Sequence, residues 1–187
     1  MKFFLISFFV SCLFNYKAFS LDTIAKQAIL YDYETKTIIF EKNSEELMSP
    51  SSMSKIMTIY YVFKKIKDGD LKLTDKFKVS KKAWKKGGSK MFVNVNTMVS
   101  VEDLIRGIIV QSGNDACIAI AEGISGSESL FAEELNLLAK EMGMMNSSFT
   151  NSTGWPDPDH LTTIQDLLTL TVRTIEDFPE LYYYYAE

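Results

Sequence analysis

The chain predicts an α/β domain in which a short β-hairpin leads into a mostly helical body. Three observations carry that class. Two strand-forming runs lie on either side of a polar break near the N-terminus, and several later stretches repeat apolar residues at helical spacing. Two of those stretches open on Ser or Thr followed by an acidic or amide residue three positions on, the mark of a helix start. With 47% hydrophobic residues among 187, the chain can bury one core.

Residues 1–20 stand apart. Lys2 is a short positive region, Phe3 to Phe14 is a nearly unbroken apolar run, and Ala18-Phe19-Ser20 offers small residues for cleavage. This pattern predicts a secretory signal, with mature protein from Leu21 and residues 21–187 as one domain. A lipoprotein site at Val10-Ser11-Cys12 competes with it, but the apolar run continues beyond Cys12. Cleavage near Ser20 would leave Cys117 alone, so export rests on the signal and not on disulfides.

Ala28-Ile29-Leu30-Tyr31-Asp32-Tyr33 and Thr37-Ile38-Ile39-Phe40-Glu41 flank Glu34-Thr35-Lys36 and predict the hairpin. A helix follows from Pro50, with Ile56, Ile59, Tyr60, Phe63 and Ile66 on one face, ending at Asp68-Gly69 where glycine takes the left-handed position. Leu71 to Phe92 is irregular and rich in lysine: Lys76, Lys78, Lys81, Lys82, Lys85, Lys86 and Lys90. A solvated surface accounts for such a run, with a site for an anionic polymer as the alternative.

Ser100 and Asp103 open a helix carrying Leu104, Ile105, Ile108 and Ile109, and Gln111-Ser112-Gly113-Asn114-Asp115 turns into a small-sided helix from Ala116 to Ala121. Ser127 caps the next, with Phe131, Leu135, Leu138 and Met142 facing the core and Gly143 at its end. Asn146 to His160 reads as a long polar loop. Thr162 and Gln165 form a capping box before Leu167, Leu168, Thr171 and Ile175.

A net charge of -4 gives no footprint for nucleic acid. His160 is the sole histidine, too few for the two or three His or Cys ligands of a usual catalytic zinc, so no metal and no cofactor is expected. The chemistry-bearing pair is Ser52 and Lys55. Residues three apart on a helix lie side by side, which puts an amine against a hydroxyl. Ser112-Gly113-Asn114 adds a second set of polar side chains, although Ser, Gly and Asn are turn residues in their own right.

Together, Pro50-Ser51-Ser52-Met53-Ser54-Lys55-Ile56-Met57-Thr58, Leu104-Ile105-Arg106-Gly107 and Gln111-Ser112-Gly113-Asn114-Asp115-Ala116 resemble the serine-type D-alanyl-D-alanine carboxypeptidases, low-molecular-mass penicillin-binding proteins of peptidase family S11. Asp159-His160 followed by Thr162, Thr163 and Asp166 is similar to the same branch, and the resemblance spans Ala28 to Pro179. It implies a β-lactamase/DD-peptidase-like serine transpeptidase fold. It also implies roles: Ser52 as acyl nucleophile, Lys55 as general base, Ser112 as proton relay, and Asn114 as a substrate-binding residue or a brace for Lys55. The implied partners are peptidoglycan stem peptides and, as covalent inhibitors, β-lactam antibiotics, on the periplasmic or cell-wall side of the inner membrane.

The family's third motif, Lys-Thr-Gly, is absent. Lys36-Thr37-Ile38 lies too early and Ser152-Thr153-Gly154 lacks the lysine. The resemblance therefore predicts a truncated fold, with C-terminal sheet strands missing and apolar sheet surface left uncovered. Either a second fragment carrying Lys-Thr-Gly completes the enzyme, or the chain is an inactive remnant that at most binds cell-wall peptide. A class A β-lactamase is less suitable, because Ala132 stands where its deacylating carboxylate belongs before Leu135-Asn136, and Glu133 and Glu134 are off register. A Ser-His-Asp triad through His160 would lack the G-x-S-x-G elbow.

Overall fold

Alternating strand formers around an Asx turn make the N-terminal hairpin. The fold is a computed structural model that describes residues 21–187; the signal expected at residues 1–20 lies outside the described residues. β1 (Ala28–Asp32) pairs antiparallel with β2 (Thr37–Lys42), Ala28 opposite Lys42, with a bulge between Leu30 and Tyr31. Asp32 Oδ1 accepts the amides of Glu34 and Thr35 at 2.9 and 3.1 Å, which closes the turn. Leu30, Ile38 and Ile39 are exposed, so the hairpin carries the uncovered apolar surface anticipated from the sequence.

α1 (Ser54–Lys67) is the central element, with α3 (Val101–Ile109), α5 (Glu128–Glu141) and α6 (Ile164–Asp177) packed around it. Its burial is wider than the expected single stripe: Met57, Thr58, Ile59, Val62 and Phe63 are all at most 1% exposed. Each such apolar side chain contributes roughly 1.5–3 kcal/mol. Gly69 follows the helix at φ 82°, as its position predicted. α4 (Asn114–Ser125) presents Ala116, Cys117, Ala119 and Ala121, all fully buried, and these small side chains admit α3 and α5 at close range.

Leu71 to Phe92 is more ordered than the sequence suggested. β3 (Lys76–Lys78) pairs antiparallel with β4 (Met98–Ser100), and α2 (Lys81–Lys85) is a single turn capped by Ser80 Oγ, which accepts the Ala83 amide. Elements of three to five residues are too short to display a period. One residue anchors each: Phe77 lies over Gly123, where a Cβ would come within 2.1 Å of its ring, and Ala83 is fully buried on α2, which packs on α4.

Ser100 and Ser127 cap α3 and α5 as predicted. At α6 the cap is Thr163, whose Oγ1 accepts the Asp166 amide, and the expected Thr162–Gln165 box does not form. The backbone of Thr162 is committed to an antiparallel bridge with Met48, and the Gln165 amide donates to Ser44 O, so the helix starts one residue later.

Candidate active site

Ser51–Met53 form a 3-10 turn that runs straight into α1, so Ser52 sits just before the helix and not in its first turn as expected. The predicted contact is nonetheless made. Lys55 Nζ lies 3.2 Å from Ser52 Oγ and donates a second bond of 2.8 Å to Thr153 O. The Lys55 side chain is buried, and that desolvation pulls its pKa below the ordinary 10.5.

The segment Asn151–Trp155 is strapped onto α1. Thr58 Oγ1 donates to Ser152 O at 2.8 Å, and Ser152 donates through its amide and hydroxyl to Glu128, whose carboxylate also holds Lys82 at 2.6 Å. Burial alone would raise the Glu128 pKa; the bonds from Lys82 and Ser152 outweigh it and hold the carboxyl below its usual range. Gly154, at φ 75°, passes so close to the Ser51–Met53 turn that a Cβ there would lie 1.7 Å from Ser51 O. Ser51 itself is left-handed, at φ 49°.

His160 is buried behind this turn. Its Nδ1 accepts the Thr150 amide at 3.1 Å, which leaves the proton on Nε2 to donate to Ser54 Oγ at 2.7 Å. Burial holds the imidazole pKa below 6.5. The histidine thus braces the end of the Ser51–Met53 turn through Ser54, and among the described residues no hydrogen bond joins it to Ser52.

Ser112, in the turn between α3 and α4, is also left-handed at φ 52°. It lines a cavity of about 110 Å³ together with Ser52, Lys55, Ile56, Ile59, Ile108, Ile109 and Tyr185. Ser52, Lys55 and Ser112 therefore converge on one space, without a direct bond from Ser112 to either. The Tyr185 hydroxyl is buried without a hydrogen-bond partner among the described residues. Asn114 is buried at the start of α4, and its Nδ2 donates to Gly87 O at 2.9 Å; the carbonyl of Thr153, not Asn114, holds Lys55.

Sequence reasoning missed Asp115. Fully buried, it accepts the amides of Met91, Phe92 and Val93 at 2.8, 2.9 and 3.2 Å and so fixes the loop beside Asn114. Nothing in its identity reveals backbone partners more than twenty positions away. The structure also brings Lys55 near enough to influence Cys117. Burial pushes that thiol up to about 12, with Lys55 acting in the opposite direction, and the fully buried Cys117 serves packing. Asn136 is tied to Phe149 through both its amide and carbonyl, and Glu134 accepts from Tyr61 and Ser125, so these two residues weighed for a β-lactamase have structural tasks. No three His, Cys, Asp or Glu side chains among the described residues gather as a metal site.

The model of peptidase family S11, described as D-alanyl-D-alanine carboxypeptidase, matches residues 15–187. The D-alanyl-D-alanine carboxypeptidase DacF of Bacillus subtilis is 39% identical over 152 residues, which is 81% of this chain and 39% of that protein. Among solved structures, the D-alanyl-D-alanine carboxypeptidase DacD of Francisella tularensis superposes with a TM-score of 0.87 at 40% identity, covering 89% of this chain and 40% of the other. Penicillin binding protein 5 of Haemophilus influenzae gives 0.86 at 37% identity, over 89% and 49%. The chain spans about 40% of the length of the curated relatives it matches.

Proposed function

Because this chain belongs to the S11 family of D-alanyl-D-alanine carboxypeptidases, we propose that it removes the terminal D-alanine from peptidoglycan stem peptides through an acyl-enzyme on Ser52. The observation that carries this function is the buried Lys55 amine held 3.2 Å from Ser52 Oγ. Burial favours the neutral amine, which takes the hydroxyl proton as Ser52 Oγ attacks the carbonyl carbon. The tetrahedral oxyanion meets the backbone N–H of Ser52, a type of donor worth about 3–4 kcal/mol to the transition state. As the C–N bond breaks, the proton passes to the departing amine through Ser112, and Asn114 faces the substrate amide. Water, deprotonated by the same lysine, then releases the acyl group.

In this mechanism a Lys-Thr-Gly segment, on the same polypeptide or on a second fragment, supplies a further cation beside Lys55 and a partner for the substrate carboxylate. β-Lactams would acylate Ser52 in place of the peptide, in keeping with the penicillin-binding relative. The segment from Lys2 to Ser20 supports export to the periplasmic or cell-wall side, which fractionation of a tagged chain would test by where the protein is recovered.

Fluorescent penicillin tests the acyl-enzyme. The expected result is one covalent label on the chain that disappears in Ser52→Ala. An absent label would favour a non-catalytic protein that at most binds cell-wall peptide, and a label surviving Ser52→Ala would refute Ser52 as nucleophile.

A further inference from the structure

The lysine-rich stretch contains one residue that the catalytic constellation does not use and that is poorly served as a surface charge. Lys82 is paired with Glu128, and Lys90 Nζ donates to Trp84 O. Lys86, half-buried, instead lays its ammonium on the face of Trp155, 3.9 Å from the ring centroid, and has no carboxylate partner among the described residues. Glu128, the acidic group that acts on it, is already saturated by Lys82 and Ser152. Burial, aided by the like charge of Lys82 and opposed by Glu128, holds the Lys86 pKa below its ordinary value, and its ammonium makes no ion pair among the described residues.

Its position gives that deficit meaning. Trp155 follows Gly154, the residue wedged against Ser51, and belongs to the same strap whose Thr153 carbonyl holds Lys55. On the other side, the Cβ position of Gly88 lies 2.7 Å from Asn114 Nδ2 and 3.3 Å from the Trp155 ring. Lys86, Trp155, Gly88 and Asn114 therefore form one continuous shelf that ends two residues from Ser112, which lines the cavity. Trp155 remains 43% exposed, open to a ligand.

We propose that Lys86, seated on Trp155, is a substrate subsite that binds a free side-chain carboxylate on the peptide upstream of the scissile D-alanyl-D-alanine bond. The proposal rests on the peptidase function above and deepens it by naming the acidic character of the substrate. The aromatic ring keeps the lysine stem extended and partly dry, and an ammonium so placed gains more from an incoming carboxylate than a fully hydrated one.

The test compares two labelled peptides ending in D-Ala-D-Ala that differ only in whether the upstream side-chain carboxylate is free or amidated. Fluorescence anisotropy on the full chain carrying Ser52→Ala reads binding without turnover. The free carboxylate should bind about tenfold more tightly than the amide. Lys86→Met should erase that preference while leaving the amidated peptide's Kd unchanged, and Lys86→Arg should retain most of it.

Equal affinity for the two peptides, a preference that survives Lys86→Met, or an equal loss for both would overturn the subsite. Penicillin labelling separates the two claims. A chain that discriminates between the peptides but is never labelled loses the peptidase function and keeps the subsite; a labelled chain without discrimination loses only the subsite. No measurable binding of either peptide overturns both.

Discussion

Replacing Asp115 with alanine should cost about 3 kcal/mol of stability. The carboxylate accepts three amides from Met91, Phe92 and Val93, and hydrogen bonds to a charged group contribute roughly 1.5–3 kcal/mol each. The sum overstates the loss. Phe92 is 80% exposed and its amide can turn to water, whereas Val93 is 7% exposed and its amide cannot. Phe92 also sits at φ 64°, a left-handed strain of about 1–3 kcal/mol that the carboxylate holds in place and that truncation would release. For a domain of this size the melting temperature should drop by roughly 6–12 °C. Thermal and urea melts followed by circular dichroism provide the measurement, with Asp115→Asn expected between wild type and alanine. A variant within about 1 kcal/mol of wild type would refute the claim that this side chain organises the loop.

Other substitutions test separate parts of the site. Lys55→Ala should slow penicillin acylation of Ser52 by at least about a hundredfold, in stopped-flow labelling, because the base is gone. In the wild type the acylation rate should rise with pH as Lys55 loses its proton, with a midpoint below 10.5, since burial disfavours the ammonium. A flat profile from pH 6 to 10 would exclude lysine as the base. Gly154→Ala should abolish the label and destabilise the fold, because both the 1.7 Å approach to Ser51 O and the positive φ exclude a Cβ. His160, neutral in the fold with its pKa held below 6.5, lets the unfolded chain bind the extra proton. Stability should therefore fall from pH 7 to pH 5 in wild type and less steeply in His160→Gln, as urea melts would record. Cys117 should resist thiol reagents until the protein unfolds.

The order of elements was legible in the sequence wherever a period had room to repeat. α1, α3 and α5 announced themselves through apolar spacing, α3 and α5 also through their Ser caps, and Ser52 with Lys55 followed from being three residues apart. What could not be read was long-range and carried by the main chain. Thr153 holds Lys55 through its carbonyl, Asp115 gathers amides, and Gly154 yields space to Ser51; none of these depends on a side-chain pattern. The misplaced cap on α6 has the same origin, since Thr162 gave its backbone to Met48. His160 stood out only by being the sole histidine, and its bond to Ser54 required the fold.

Ser51, next to the cavity-lining Ser52, and Ser112, which lines the same cavity, both occupy backbone conformations that an L side chain leaves when it can. Each is a small loaded spring, and the latch on the first is the strap from Asn151 to Trp155. If that strap breathes, Ser51 is free to flip into the right-handed basin and carry Ser52 away from Lys55 without any helix unfolding. Inactivation could then precede denaturation on warming, with amide exchange in the strap reporting the loss of labelling before the circular dichroism changes. Stabilising the helices would leave that early failure untouched, whereas tightening the strap would delay it.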